Sequence, residues 1–317
     1  MRKYSDYLKL KYSMHNPAWA DKVLEKNINL LGSVTEQADL LPYIEFDEHS
    51  NRLSAKEYGC GKFGCVYPTL RDDLVFKITT DVSEVKFVLA AMDIREWPEG
   101  MIQYTKVIIL EGKYKNRPII GLWREAAIDK SIGVLGKKYE SGKMNKEEEL
   151  FDDFLSMFFT YAELAERTKK SIKNKQDLDI FYKNINYETY KSQIDDIWNK
   201  NFVPNKPLKV EDQYDYYIYP QASASKESIQ DRIRRVSILL SICLRITKEI
   251  QTRTPGFSSI GHALEFYALK YILIGDVHLL NVAQVERHGK SIWVITDPGN
   301  SIFFTNKYDH LFNGLYE

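Results

Sequence analysis

Apolar residues three or four positions apart mark out helices over much of the chain. From Ser225 to Arg253, Ile229, Ile233, Val236, Leu240, Cys243, Leu244 and Ile250 fall on one face. This predicts one long helix, with Ser225 and Ser228 available as caps and Thr254-Pro255-Gly256 as its stop. From about Asn145, Leu150, Phe154, Met157, Phe158, Tyr161, Leu164 and Ala165 repeat the pattern, widened by Phe151 and Phe159, which is a core-packing stripe. Asp81 to Arg95 and Gly261 to Lys270 predict shorter helices, and Val23, Leu24, Ile28 and Leu31 predict another that ends near Gly32. The remaining apolar stretches are short and bounded by turn residues, as strands are. They lie within Leu53 to Thr80, at Ile102 to Leu110 and Pro118 to Trp123 with a turn at Glu111 to Asn116, and at Tyr271 to Ile274 and Ile292 to Thr296.

The pattern predicts an α+β chain: a helical extension over 1–50, a strand-rich lobe over 51–127 and a helical lobe over 128–317. Residues 167–224 interrupt the second lobe with a polar, tyrosine-rich insertion. It holds two weak helical pieces, near Leu178 to Tyr190 and Ile194 to Trp198. The strand-rich lobe is expected to be a five-stranded antiparallel sheet with one helix.

Composition narrows the class. Lys plus Arg and Asp plus Glu both number 44 in 317 residues, so there is no net field to attract a polyanion, and nucleic acid is a weak candidate partner. The three cysteines, Cys60, Cys65 and Cys243, show no metal-ligand spacing and fit a reducing compartment. The apolar run from Val236 to Ile246 is broken by Ser241 and Arg245 and is too short to span a bilayer. With no signal-like N-terminus, the expectation is a soluble cytoplasmic protein without a membrane partner.

Two stretches carry chemistry. In I-G-D-V-H-L-L-N-V and V-I-T-D-P-G-N, Asp276, Asn281 and Asp297 flank a hairpin that turns at His288-Gly289. One Asp can take or orient a hydroxyl proton, while an Asn and a second Asp hold a metal against phosphates. The competing reading is that acidic residues end strands as turn formers. Upstream, Gly59, Gly61 and Gly64 form G-x-G-x-x-G, with Val66 two residues on. A dinucleotide site would need a helix next. C-V-Y-P-T-L-R-D-D instead reads as strand and turn, followed by L-V-F-K-I with Lys77 embedded. Lys77 can supply positive charge to phosphates, or be a strand lysine that snorkels to water. Glu84 is the first candidate to pair with it, ahead of Asp93 and Glu96. Asp81-x-x-Glu84 also reads as a capping box.

With these motifs in order, the chain resembles the protein-kinase-like superfamily, and within it most closely the early host-shutoff serine/threonine kinases of podophages. The resemblance covers roughly Lys56 to Thr105 and Ala268 to Phe304. It implies a bilobal fold and phosphoryl transfer from ATP to protein hydroxyls, with proteins of an infected host as partners. It also implies Asp276 as catalytic base, Lys77 on the phosphates, Gly59, Gly61, Gly64, Val66 and Glu84 around the nucleotide, and Mg²⁺ on Asn281 and Asp297. The chain departs from the pattern in four places. Ile274-Gly275 stands where His-Arg is usual, and Pro298 where Phe is. His278 replaces the usual lysine, as in small-molecule kinases of the aminoglycoside and choline type, and could donate to a phosphate oxygen or simply pack. After D-P-G only Ser301 to Glu317 remain, so the helical lobe is expected to lack an ordinary activation segment. Three readings stay open: a protein kinase, a small-molecule kinase, and a pseudokinase that only binds.

Overall fold

The computed structural model describes residues 18–34, 40, 42, 44–47, 52–55, 59–60, 63–201, 227–313 and 315. These divide into two compact units. One is drawn from Met1–Glu96, Ile102–Ala126 and His310–Glu317, and the other from Trp97–Met101 and Ala127–Asp309.

In the first unit, helix α1 (Ala18–Val34) buries Ala20, Leu24 and Leu31 in the same core as Tyr67, Phe76, Ile119 and Trp123 of the sheet. Asn27, 1% exposed, ties helix to sheet: its Oδ1 accepts from Glu111 N–H at 2.7 Å and its Nδ2 donates to Glu111 C=O at 3.2 Å. Trp19 stacks on Tyr114 with ring centroids 4.5 Å apart. The stretch expected as an extension therefore contributes a helix to the sheet's own core. Strands β1 (Ile44–Asp47) and β2 (Arg52–Ala55) form a separate antiparallel hairpin. Leu53 thus begins no strand of the main sheet, as its sequence suggested; that sheet opens with β3 (Gly59–Cys60), only two residues long.

Four full strands follow β3 in an antiparallel sheet: β4 (Gly64–Pro68), β5 (Leu74–Thr79), β6 (Tyr104–Tyr114) and β7 (Arg117–Glu125), in the order β3-β4-β5-β7-β6. Every residue of β5 is buried, which is why L-V-F-K-I-T lacks polar alternation. The β6–β7 turn is shorter than its sequence suggested. Lys115 and Asn116, at φ 51° and 62°, make a two-residue turn whose left-handed residues match strand twist. Glu111 to Tyr114 stay in the strand because Gly112, at φ 106°, absorbs a bulge between Leu110 and Lys113. The second strand, expected to end at Trp123, runs on to Glu125. Helix α2 (Val82–Ile94) starts at Asp81, whose carboxylate accepts from Ser83 and Glu84 N–H, and stops at Arg95 in the left-handed region. Cys60 and Cys65, read from sequence as unpaired thiols, stand opposite each other on β3 and β4 and are joined as a disulfide.

The second unit is mainly helical: α3 (Val134–Glu140), α4 (Lys146–Lys170), α5 (Lys175–Asn184), α6 (Glu188–Asn201), α7 (Ile229–Arg253) and α8 (Ser258–Ala268). Asn145 and Ser228 begin α4 and α7 with capping boxes to Glu148 and Asp231, so Ser228 alone is the cap; Ser225 lies outside the described residues. Helix α7 is enclosed by α4, α5, α6 and α8, so residues all round it are buried, not one face alone.

The polar residues that interrupt its apolar run are docking points for the insertion. Ser241 Oγ donates to Tyr187 C=O, and Ser237 Oγ accepts from Asn186 N–H. Arg245 pairs with Glu249 at 2.9 Å and Asp195 at 3.5 Å, and its guanidinium lies over the Trp198 ring. The break between the insertion's helices falls at 185–187 instead of after Tyr190, where these two serines take up the backbone. Residues 202–226 lie outside the described residues. Two antiparallel pairs complete the unit, β8 (Ile272–Leu273) with β11 (Ile302–Phe303), and between them in the chain the hairpin of β9 (Val282–Arg287) and β10 (Lys290–Ile295). Among the described residues no helix is long and apolar enough to cross a membrane.

Asp152, on α4, makes a pH-dependent contribution. Burial, and then the charge of neighbouring Asp153, push its carboxyl up to about 7. A carboxyl raised in the folded state favours folding at low pH and penalises it progressively from about pH 4 to pH 7. Asp152→Asn should therefore stabilise the chain by about 1–3 kcal/mol at pH 7.5 and leave it unchanged below about pH 4. Urea unfolding at the two pH values checks this.

Candidate functional site

The chemistry-bearing residues form two groups, one in each unit. In the first, register does the positioning. Gly59, Val66, Lys77, Leu122 and Val107 are successive partners across β3, β4, β5, β7 and β6, so they form one row on one face of the sheet. Gly64 sits where β4 meets β5 so closely that a Cβ would lie 2.0 Å from Ile78 C=O; no side chain fits. Gly61 falls outside the described residues.

Lys77, 7% exposed, ends in an ion pair with Glu84, its Nζ 2.7 Å from Glu84 Oε1. Tyr104 Oη donates to the same oxygen at 3.1 Å. The two alternatives for these residues are thereby resolved. Lys77 does not snorkel outward. Asp81 is the cap, but its N–H bonds Thr79 Oγ1 and the Glu84 carboxylate turns to Lys77, so there is no capping box. Asp93 and Glu96 are exposed. Tyr104, the third member of the network, went unread because a lone tyrosine at a strand start has no distinguishing pattern. Leu122 and Val107 could have been found only from register.

The second group is built on the turn between β8 and β9. Asp276, His278 and Asn281 are 7%, 4% and 6% exposed. Asn281 closes the loop: its Nδ2 donates to Asp276 C=O at 2.7 Å and its N–H to His278 C=O at 2.8 Å. His278 Nδ1 accepts from Leu280 N–H at 3.2 Å, and its Nε2 lies 3.3 Å from Asp276 Oδ1. An imidazole that accepts at Nδ1 carries its proton on Nε2, so the ring presents a donor to Asp276. Gly275 explains one departure from the kinase pattern. A Cβ there would lie 2.3 Å from Asn300 C=O, leaving no space for an arginine. Gly136 of α3 likewise seats Leu280, whose Cδ2 a Cβ would meet at 2.3 Å.

Asp297 is brought to the same end of the β9–β10 hairpin. Its neighbour Thr296 donates from N–H to Asn281 C=O at 2.8 Å, and Gly299 N–H reaches Asp297 Oδ1 at 3.2 Å. The bond to Asp276 identifies Nδ2 of Asn281, so Oδ1 is the atom of this amide that could ligate a hard cation. An amide oxygen and the Asp297 carboxylate are the ligand types that Mg²⁺ takes alongside phosphate oxygens and water. No cluster of three His, Cys, Asp or Glu suited to a metal occurs among the described residues, so these two would need the nucleotide to complete the site. A turn former at a strand end is ordinarily solvated; Asp276 is instead buried, with the His278 ring beside its carboxylate as a partner.

Removing one partner of a buried ion pair strands the other. Lys77→Met should cost about 3–5 kcal/mol of stability by leaving Glu84 charged and buried, and adding Glu84→Gln should recover most of it. Denaturant midpoints of the single and double variants check this.

Compared with protein-family models, curated proteins and solved structures, the chain matches none, and the site stands on its own geometry.

Proposed function

We propose that the chain is an ATP-dependent phosphotransferase, and specifically a protein serine/threonine kinase. The observation that carries this reading is the buried Lys77–Glu84 pair with Tyr104 on the same carboxylate oxygen. A buried ion pair is a poor device for stability, since desolvation offsets its attraction. It is a good one for holding an ammonium group at a fixed place on a sheet face, and phosphoryl transfer is catalysed mainly by such positioned charge. The row Gly59, Val66 and Lys77 supports a nucleotide on that face, with the glycines allowing backbone to approach phosphates.

In this reading Asp276 receives the proton of the attacking hydroxyl. The acceptor oxygen forms its bond to the γ-phosphorus as the bond to the β–γ bridging oxygen breaks, and ADP leaves. His278, donating from Nε2, orients the Asp276 carboxylate. Asn281 and Asp297 would hold Mg²⁺, which when bound neutralises charge on the phosphates. The acceptors that the podophage resemblance implies are host proteins in the cytoplasm. The histidine at position 278 favours a second reading, a small-molecule acceptor of the aminoglycoside or choline type.

The purified chain should transfer label from γ-labelled ATP to itself or to proteins of a lysate; transfer only to an added aminoglycoside or choline would support the second reading instead. Asp276→Asn should bind MgATP normally and lose about a hundred- to ten-thousand-fold in turnover. Asp297→Ala should lose the magnesium dependence of ATP binding. Near-normal turnover in the Asp276 variant would remove the base assignment, and undiminished magnesium dependence in the Asp297 variant would remove the metal assignment.

A further inference from the structure

The glycine loop of the first unit is closed by a covalent bond. Cys60 of β3 and Cys65 of β4 stand opposite each other and are joined as a disulfide, which makes a ring of the segment C-G-K-F-G-C. The two residues are differently placed: Cys65 is 1% exposed, whereas Cys60 is exposed to solvent. The arms of the ring are also held unequally. On the Cys65 side, β4 pairs with β5 along its whole length, and Phe63 C=O accepts from Thr80 N–H at 2.7 Å and from Thr80 Oγ1 at 3.1 Å. The Phe63 ring faces the Arg117 guanidinium at 5.5 Å. On the Cys60 side, β3 is the short edge strand, paired with β4 at Gly59↔Val66 and at the cysteines themselves. The disulfide thus ties down the arm with less backbone support, and Gly59 on that arm belongs to the row of Val66 and Lys77.

We infer that the Cys60–Cys65 disulfide is an exchange site for low-molecular-weight thiols of the glutathione class, which release and refasten the β3 arm of the glycine loop. In thiol–disulfide exchange a thiolate must reach one sulfur of the bond, and exposure makes Cys60 the residue attacked. The incoming sulfur bonds to Cys60 Sγ, the S–S bond breaks, and Cys65 leaves as a thiolate and takes up a proton. A second thiol attacks the external sulfur of the mixed disulfide and releases Cys60. Two small thiols are thereby oxidised to one disulfide while the protein disulfide is reduced to two thiols; the small disulfide drives the reverse. A disulfide in a reducing compartment is usually a transient or sensing one. A ring this short constrains the chain only locally, since the loop-closure contribution grows with loop length. Cys243 does not compete: it is fully buried in α7, where burial pushes its thiol up and leaves it unreactive.

What release does to a nucleotide rests on the phosphotransferase reading; the exchange itself does not. A β3 arm fastened to β4 holds the loop in one arrangement before a nucleotide arrives. A released arm has to be ordered again on binding, which lowers affinity.

The test equilibrates the full chain with mixtures of reduced glutathione and glutathione disulfide, followed by alkylation and mass measurement, amide hydrogen exchange and MgATP kinetics. The 60–65 pair should pass reversibly between bonded and reduced forms in the folded chain, with Cys243 unalkylated throughout. Reduction should raise exchange over 59–66 about three- to thirtyfold and leave β7 and α7 protected. It should also raise KM for ATP about three- to thirtyfold, with kcat changed by less than about threefold. Cys60→Ser should match the reduced chain in every mixture, and Cys65→Ser serves if that variant does not fold.

A pair that stays bonded in excess reduced glutathione would be a structural staple, and one that stays as two thiols in excess glutathione disulfide would form no bond; either overturns the inference. So would exchange that rises evenly over the chain, or a KM for ATP equal in the two forms. If the unaltered chain binds no MgATP in either form, the phosphotransferase reading falls, and the titration with local exchange by itself decides whether the pair is a thiol-exchange site.

Discussion

A lysine ammonium buried in the middle of an otherwise apolar strand is the constraint on which the first unit depends. Lys77 is the one charge in β5, and it can stay there only because α2 delivers the Glu84 carboxylate to it at 2.7 Å. That requirement dictates the start of the helix. Asp81 must cap it with its own side chain so that Glu84, in the first turn, is left to face the sheet. It also gives Tyr104 its place at the start of β6, where its hydroxyl reaches the shared oxygen. Strand, cap, helix phase and edge strand are thus four consequences of one pair.

The second unit answers a different constraint, the burial of a loop. Backbone without regular structure is usually left in water, because buried polar groups need partners. Between β8 and β9 the partners come from the loop itself. The Asn281 amide closes on Asp276, the His278 ring accepts from Leu280, and Thr296 of the neighbouring hairpin returns to Asn281. Two glycines, one inside the motif and one on α3, make this possible. Gly275 lets the Asn300 carbonyl approach, and Gly136 lets Leu280 seat against α3. A loop held by these bonds presents Asp276 in one position, as the proposed role of a base would require.

Much of the site was legible as residues and little of it as geometry. Lys77, Asp276, Asn281 and Asp297 stand out because charged or amide groups lie within or just after short apolar strands, in one order along the chain. Glu84 could not be separated from a capping role, since both readings use the same spacing; only the direction of its side chain distinguishes them. The strand ends of β6 were misjudged at Glu111 because Gly112 reads locally as a turn, whereas in the sheet it is a bulge inside a longer strand. Cys60 and Cys65 lie five residues apart, a spacing that carries no signal until register sets them opposite each other.

The amino-acid sequence by itself determined the periods: an apolar alternation or run for each main strand, a helical stripe for each long helix, and the glycines and caps that end them. These are local properties, set by side-chain size and backbone freedom within a few residues. What only the tertiary structure decided was partnership across distance. Ser241 and Arg245 read as flaws in an apolar helix, yet they dock α6 and the link that precedes it. The insertion read as a polar interruption of the helical lobe, yet it places Phe181, Ile194 and Trp198 in the core. Lys86 of α2 had no partner legible in the sequence, yet its ammonium lies over the Phe312 ring. In each case a polar or apolar group is ambiguous alone, and its meaning comes from the group that meets it, which chain folding brings from up to two hundred residues and more away.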